Sequence, residues 1–212
     1  MFQMDTVNNT KYVLTVINLN NSTRYYDIKD KLNLLHGIVY SSFTSKETKK
    51  LFQLTYNKTN KSLELRILSE EKPNKYHLSK EFGVSTKSIH HYDYSTRMDN
   101  MSKGSVYKFH LIGNPVKRKF VNSKCGSLIP LNTDEECIDW LSSRAQQKGF
   151  DIKDLKISKQ KPKVGKNNIM IHTVEYTGTL EVTDEEAFKN TIIDGIGHER
   201  AYGYGMLWVE EI

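Results

Sequence analysis

A cluster of glycines late in the chain is the densest chemical signal in the sequence. Four of the 12 glycines fall between Gly195 and Gly205, as two Gly-x-Gly pairs on either side of Arg200. Glycine reaches positive φ freely and lets the backbone approach a ligand closely, so the pattern predicts a shaped loop that presents backbone amides and one cation. A glycine-rich connection into a strand, with no ligand, is the open alternative. The members of this glycine loop that we expect to contact a ligand are Gly195, Gly197, Arg200, Gly203 and Gly205.

The first pair begins like the GxGxxG fingerprint of a dinucleotide site, but two observations argue against that function. Arg200 stands where the third glycine would be. The fingerprint also follows a strand and opens a helix, whereas this loop follows a helix. The capping-box pattern Thr-Asp-Glu-Glu at 183–186 predicts that helix, and 206–209 reads as a strand.

Basic residues are clustered rather than spread evenly. The formal net charge is +6, and the two stretches 100–133 and 155–174 contain no acidic residue at all. Clustered positive charge of this kind is typical of a surface that binds a polyanion, most plausibly a nucleic acid. Two solvated lysine-rich loops are the simpler alternative. The basic side chains of these stretches are Lys103, Lys108, Lys117, Arg118, Lys119, Lys124, Lys156, Lys159, Lys161, Lys163 and Lys166.

A histidine suited to proton transfer lies on the edge of the first predicted helix. Apolar residues at steps of three and four predict a helix of about eighteen residues beginning after Ser22 or Thr23. At about 100° per residue, His36 falls beside this apolar stripe, on the side that carries Lys29, Asn33 and Tyr40. A purely structural histidine remains the alternative. The stripe consists of Ile28, Leu32, Leu35, Val39 and Phe43.

Among polyanions, RNA supplies its own nucleophile, the 2′-hydroxyl. Cleaving it requires a base for that proton, an acid for the leaving 5′-oxygen, and cations for the crowded phosphate. Histidine suits such work because its unperturbed pKa lies near neutral pH. The sequence has no His-Glu-x-x-His and no Cys-x-x-Cys, so we expect neither a metal ion nor a cofactor.

The bulk properties predict a cytoplasmic protein with one large domain or two small ones. Its 212 residues include two cysteines, Cys125 and Cys137, which we expect to be reduced thiols. No stretch approaches the length of a transmembrane helix, and 1–10 lacks the apolar core of a signal peptide. We therefore expect no membrane association.

The pattern of elements predicts an α+β fold of two tandem ferredoxin-like, RRM-like units, at 1–98 and 104–212. Each half has the order β-α-β-β-α-β. In the first half, strands are predicted at 12–19, 51–56, 62–68 and 88–95, with a weak helix at 78–83. In the second, a basic hairpin at 116–131 follows the first strand, and a capping box at 133–136 opens a helix that ends at Gly149.

Five segments resemble the CasE family, the repeat-processing endoribonucleases of type I-E CRISPR systems and members of the RAMP superfamily. They occur in the order of the family across nearly the whole chain. The Asn-Pro strand end with its basic tail and the glycine loop are the more specific of them. The segments are LLHGIV at 34–39, LRILSEEKP at 65–73, YKFHLIGNPVKRK at 107–119, Trp140-Leu141 with Arg144-Ala145, and the glycine loop with Met206-Leu207.

The resemblance implies metal-independent cleavage at the 3′ base of a CRISPR repeat hairpin, leaving a 5′-hydroxyl and a 2′,3′-cyclic phosphate. It also implies that the enzyme stays on its product as a subunit of the type I-E surveillance complex (Cascade), so the expected partners are repeat RNA and the other subunits. The catalytic histidine of the family falls on His36. The family's tyrosine three residues earlier falls on Asn33, a departure.

The departure at Asn33 leaves the group that replaces the tyrosine open. Tyr40, Tyr25 or Tyr26 is able to supply a phenol, or histidine serves with lysine alone. Lys29 or Lys31, with Lys161, would offset charge on the phosphate. The expected RNA contacts are Lys117, Arg118, Lys119, Lys124, Lys159, Lys163 and the glycine loop with Arg200.

Two rival functions remain open from the sequence. A non-catalytic repeat-RNA-binding scaffold of the same fold would keep the basic surfaces, and Asn33 favours it. A ferredoxin-like small-molecule enzyme would need an apolar pocket, and the clustered lysines argue against it.

Overall fold

The computed structural model describes residues 11–57, 61–121, 124–164 and 170–212. These residues form two compact units. The first contains 11–57, 61–100, 163–164 and 201–203, and the second contains 101–121, 124–162, 170–200 and 204–212. Each unit therefore takes most of its residues from one half of the chain, and the first unit also includes two short segments from the later half.

The first unit is built on a four-stranded antiparallel sheet of β1 (Val13–Asn18), β2 (Lys50–Asn57), β3 (Ser62–Ser69) and β4 (Ile89–Asp93). The strands are ordered β2-β3-β1-β4. The alternation of side chains along each strand places Ile17, Phe52, Leu65 and Ile67 in one buried core. The strand order confirms the β-α-β-β-α-β pattern predicted for this half.

The first predicted helix is broken in two, which corrects the prediction of one continuous helix. It consists of α1 (Tyr25–Ile28) and α2 (Leu32–Ser41). Lys31 has φ −102° and ψ 81°, outside the helical region, so the helix cannot continue through it. The apolar stripe is nevertheless correct, because Ile28, Leu35 and Val39 all lie in the same core.

Two further helices complete the first unit. Helix α3 (Lys75–Phe82) begins earlier than predicted because the Asn74 side chain accepts a hydrogen bond from the backbone N–H of His77. Helix α4 (Ser95–Asp99) follows β4 directly. Within the part of the chain that the structure describes, no helix is long and apolar enough to cross a membrane.

The second unit repeats the topology with β5 (Val106–Gly113), β8 (Phe150–Lys159), β11 (Val174–Val182) and β12 (Trp208–Glu211), in the order β12-β5-β11-β8. The predicted basic hairpin is confirmed as β6 (Val116–Val121) and β7 (Lys124–Pro130), which pair with each other. Two short strands, β9 (Lys163–Val164) and β10 (Met170–Ile171), fall between β8 and β11 in the chain. The repeated strand order confirms the predicted α+β, ferredoxin-like fold class.

The two predicted capping boxes have different outcomes. Helix α5 (Asp134–Ala145) has the box at Thr133 and Glu136. Helix α6 (Glu185–Asp194) is capped by Asp184 instead, whose side chain accepts from the N–H of Ala187. The box predicted at Thr183 is wrong because the backbone N–H groups of Thr183 and Asp184 both donate to the carbonyl of Gly149, which leaves no donor for an acidic side chain to bind.

Candidate active site

His36 is held on α2 with a defined tautomer. Its Nδ1 lies 2.8 Å from the carbonyl oxygen of Ala201. A carbonyl oxygen can only accept a hydrogen bond, so Nδ1 carries a proton and donates. In the neutral imidazole Nε2 is then unprotonated and can accept a proton. The histidine that sequence spacing singled out is therefore oriented as a general base requires.

Two tyrosine rings flank the imidazole. Tyr40 lies one helical turn after His36, with ring centroids 4.0 Å apart and planes tilted by 38°. The Tyr202 ring is 5.9 Å from the imidazole at 57°. Residue spacing predicts that Tyr40 lies beside His36, but it indicates no role for Tyr202. The only available signal was its place inside the glycine loop, which did not indicate contact with the helix.

A buried lysine that no sequence pattern indicated contacts the Tyr40 ring. Lys50 is only 8% exposed, and its ammonium lies 4.7 Å from the Tyr40 ring centroid and 4.9 Å from that of Phe43. It donates to the carbonyls of Thr48 and Lys46, at 2.9 and 3.3 Å. Burial lowers the pKa of the Lys50 ammonium. Lys50 is therefore held in place against the Tyr40 ring.

Lys29 does not lie on the helix of His36, as the prediction of a continuous helix implied; it follows α1 directly. Its ammonium lies 4.9 Å from the Tyr26 ring centroid and 4.0 Å from a carboxylate oxygen of Asp30. Lys163, predicted to bind RNA, donates to the backbone carbonyl of Lys29 at 3.0 Å and pairs with Asp30 at 3.3 Å. We call Tyr25, Tyr26, Lys29, Asp30 and Lys163 the tyrosine–lysine cluster.

Of the remaining catalytic candidates, Lys31 and Lys161 are exposed and Tyr25 is half-buried. Asn33, at the position of the family's tyrosine, is exposed on α2, and Lys31 is exposed at the N-cap of that helix. Lys161 is exposed between β8 and β9. Tyr25 is half-buried, and burial together with the charge of Asp30 raises the pKa of its phenol. Its hydroxyl therefore holds its proton more tightly than that of a free tyrosine.

Two of the amides of the glycine loop are already hydrogen-bonded within the protein. The N–H of Gly195 donates to the carbonyl of Thr191, and that of Gly205 donates to Ile112. Arg200 donates to the carbonyl of Asp194. All four glycines have positive φ, between 73° and 87°. At Gly205 a Cβ would lie 2.5 Å from the carbonyl oxygen of Ile196, so only glycine fits there.

The predicted basic contacts of the second unit are partly paired. Lys117 pairs with Glu136 at 2.8 Å, which with the capping-box hydrogen bonds lowers the pKa of that carboxyl to about 2. Lys159 pairs with Asp134 and also donates to the carbonyl of Asn132. Arg118 and Lys119 are exposed on β6. Lys124 begins β7, but its side chain lies outside the described residues.

Among the described residues, no group of three or more histidine, cysteine, aspartate or glutamate side chains is placed to hold a metal ion.

The family model described as "CRISPR associated protein" matches residues 13–210. The chain belongs to this family. A curated relative, the CRISPR-associated endoribonuclease Cse3 of Thermus thermophilus, is 27% identical over 124 residues. That alignment spans 51% of this chain and 57% of the relative, just over half of each protein. The match confirms the family resemblance seen in the sequence.

Solved structures of family proteins share the fold. Thermus thermophilus Cse3 bound to an RNA representing a pre-cleavage complex superposes with a TM-score of 0.77 at 18% identity, covering 94% of this chain and 98% of that chain. The CRISPR-associated protein Cas6e of Escherichia coli K-12 gives a TM-score of 0.67 at 21% identity, covering 95% and 100%. At these identities the likeness establishes the tandem fold.

Proposed function

We propose that this protein is a metal-independent endoribonuclease that cuts precursor CRISPR RNA at the 3′ base of the repeat hairpin. The observation that carries the proposal is the hydrogen bond from His36 Nδ1 to the carbonyl of Ala201, which leaves Nε2 as a proton acceptor. The Cse3 relative is an endoribonuclease, and its structure with RNA has the same fold. Both support RNA cleavage as the activity of this protein.

In the proposed reaction, the 2′-hydroxyl oxygen attacks the adjacent phosphorus while its proton passes to His36 Nε2. The bond from phosphorus to the 5′-oxygen breaks, and that oxygen takes up a proton. The products are a 2′,3′-cyclic phosphate and a 5′-hydroxyl, with no water consumed. Tyr40 and Tyr202 pack on the imidazole and restrict its rotation, which keeps Nε2 directed at one position.

Cations are needed where negative charge grows on the phosphate. We assign this role to Lys29, with Lys161 from the segment between β8 and β9 as a second contributor. Arg118, Lys119 and Lys124 of the basic hairpin, with Lys117, Lys159 and the glycine loop, are assigned to the RNA backbone. Such contacts fix position more than sequence, and the stem would be recognised by shape and 2′-hydroxyl contacts.

We also propose that the protein remains on its product and joins the type I-E surveillance complex. Family membership supports this assignment. A non-catalytic RNA-binding scaffold is the second candidate, and the exposed Asn33 favours it, because an amide cannot exchange a proton as a phenol does.

The decisive experiment incubates the full chain, in EDTA, with the repeat hairpin of its own genome's CRISPR array. A matched substrate carries a 2′-deoxy group at the cleavage nucleotide, and the ends of the product are analysed. We expect cleavage of the ribose substrate only, with a cyclic phosphate on the 5′ fragment. Salt-sensitive binding without cleavage would favour the scaffold. If the protein neither binds nor cleaves the hairpin, both functions are excluded.

A further inference from the structure

The most exposed aromatic side chains of the described residues are Tyr26 and Tyr76, each 80% exposed. An aromatic ring exposed to water does not gain the free energy of burial. An exposed ring that is also held in place by its neighbours is therefore suited to binding. Tyr76 lies in the first turn of α3. Tyr26 lies in α1, the short helix that leads into the helix of His36.

The Tyr26 ring is held by its neighbours. Tyr25 packs against the core of the first unit and meets Tyr26 edge to face, with centroids 5.3 Å apart and planes at 71°. The Lys29 ammonium lies within cation–π distance of both rings, 4.9 Å from Tyr26 and 5.8 Å from Tyr25. One exposed ring is thus anchored to a half-buried one, and a cation lies beside both.

The backbone beneath this pair is also fixed. Lys163 donates to the carbonyl of Lys29 and pairs with Asp30, so the turn between α1 and α2 is tied to a residue far along the chain. Asp30 is the acidic member of the tyrosine–lysine cluster, and it faces two lysines. The cluster therefore keeps a net positive charge, which suits a phosphate beside a stacked base.

We propose that Tyr26 is a stacking platform for an unpaired nucleobase next to the cleaved phosphodiester, with Lys29 beside the phosphate of the same nucleotide. Unpaired RNA bases are commonly bound by stacking on aromatic side chains, and stacking needs a ring but no hydroxyl. The inference rests on the proposed function, since it names the part of the repeat RNA that this site would hold.

The test measures the Kd of the full chain for the repeat hairpin with its unpaired flanks, made uncleavable by a 2′-deoxy group. Tyr26→Ala should weaken binding by about 5- to 100-fold, the range expected when one stacked base is lost. Tyr26→Phe should stay within about twofold of wild type, because the ring remains. Tyr76→Ala is the matched control, an equally exposed tyrosine on another helix, and should leave Kd unchanged.

A second measurement finds the base. With 2-aminopurine placed in turn at each unpaired position, wild type should quench the fluorescence at one of them, and Tyr26→Ala should not. Deleting that base from the RNA should weaken binding by wild type as much as Tyr26→Ala does. It should not weaken binding by Tyr26→Ala any further. Equal Kd values for Tyr26→Ala and Tyr76→Ala would overturn the inference. A Tyr26→Phe variant that binds the hairpin as weakly as Tyr26→Ala would also overturn it. If wild type does not bind the hairpin, the proposed function itself fails.

Discussion

Helices α2 and α5 occupy the same place in their two units, yet their N-termini are built in opposite ways. Each is the ten- to twelve-residue helix between the first and second strands of its unit's sheet. Helix α5 begins with the capping box of Thr133 and has three acidic residues in its first turn. Helix α2 has Lys31 at its N-cap, with no side-chain cap hydrogen bond, and no acidic residue in its first turn.

The difference separates a helix that has local stabilisation at its N-terminus from one that depends on tertiary packing alone. The capping box and acidic first turn of α5 satisfy free N–H groups and complement the helix dipole. Helix α2 lacks both. Each helix buries four side chains, so packing holds both of them, and only α5 has local stabilisation at its N-terminus as well. The carboxylate nearest to the start of α2, that of Asp30, pairs with Lys29 and Lys163. Under the proposed function, the uncapped start of α2 would lie beside the RNA.

The largest expected effect compares the fifth residue of each helix, His36 in α2 and Ile138 in α5. His36→Ala should slow cleavage of the repeat hairpin by at least about 100-fold, since a general base contributes about 10² to 10⁴. Single-turnover rates and Kd are to be measured for both variants. Ile138→Ala, at an exposed position, should leave both values unchanged. A His36→Ala rate equal to that of Ile138→Ala would move the chemistry away from α2.

An intermediate effect is expected when α2 is given an N-cap residue that can accept a hydrogen bond, as α5 has. Lys31→Asp and Lys31→Asn both introduce good N-cap residues and should raise the free energy of unfolding by about 1 kcal/mol, measured in urea. The two differ in one negative charge. Lys31→Asp should therefore bind RNA about fivefold more weakly than Lys31→Asn, since a charge about 4 Å from a phosphate costs about 1 kcal/mol in water.

High salt should remove the difference between these two variants, because salt screens exposed charges. Identical affinities at low salt would show that the start of α2 does not face RNA.

The smallest effect is expected from a substitution that removes the N-cap of α5. Thr133→Ala should lower the free energy of unfolding by about 1 kcal/mol without changing cleavage.

The ion pair with Lys117 and the capping-box hydrogen bonds lower the pKa of Glu136 to about 2. A carboxyl with a lowered folded-state pKa stabilises the fold above its ordinary value near 4.5, and that contribution disappears as the pH falls toward about 2.

The pH dependence is checked by comparing wild type with Glu136→Gln. Wild type should be the more stable of the two at neutral pH, and the difference should shrink as the pH falls below about 4.5. A difference that does not depend on pH would mean that the charge of Glu136 plays no part.

Sequence patterns predicted the elements whose signals are local. The box at Thr133 and the end of that helix at Gly149, with φ 79°, depend on neighbouring residues only, and both were predicted. The cap of α6 was misplaced by one residue because the carbonyl of Gly149, distant in sequence, binds the N–H groups of Thr183 and Asp184. The break between α1 and α2 was missed because an apolar stripe runs through it without interruption.

The sequence by itself determined the order of strands and helices along each half and the core stripe of the first helices, since both follow from residue spacing. Spacing and the family resemblance together indicated His36. Only the tertiary structure decided the tautomer of His36, because its partner is a backbone carbonyl 165 residues away, and every residue has such a carbonyl. Only the tertiary structure, likewise, places Tyr202 beside His36 and Lys50 beside Tyr40. Spacing reports which side chains share a face, whereas contacts between distant segments depend on how the chain packs.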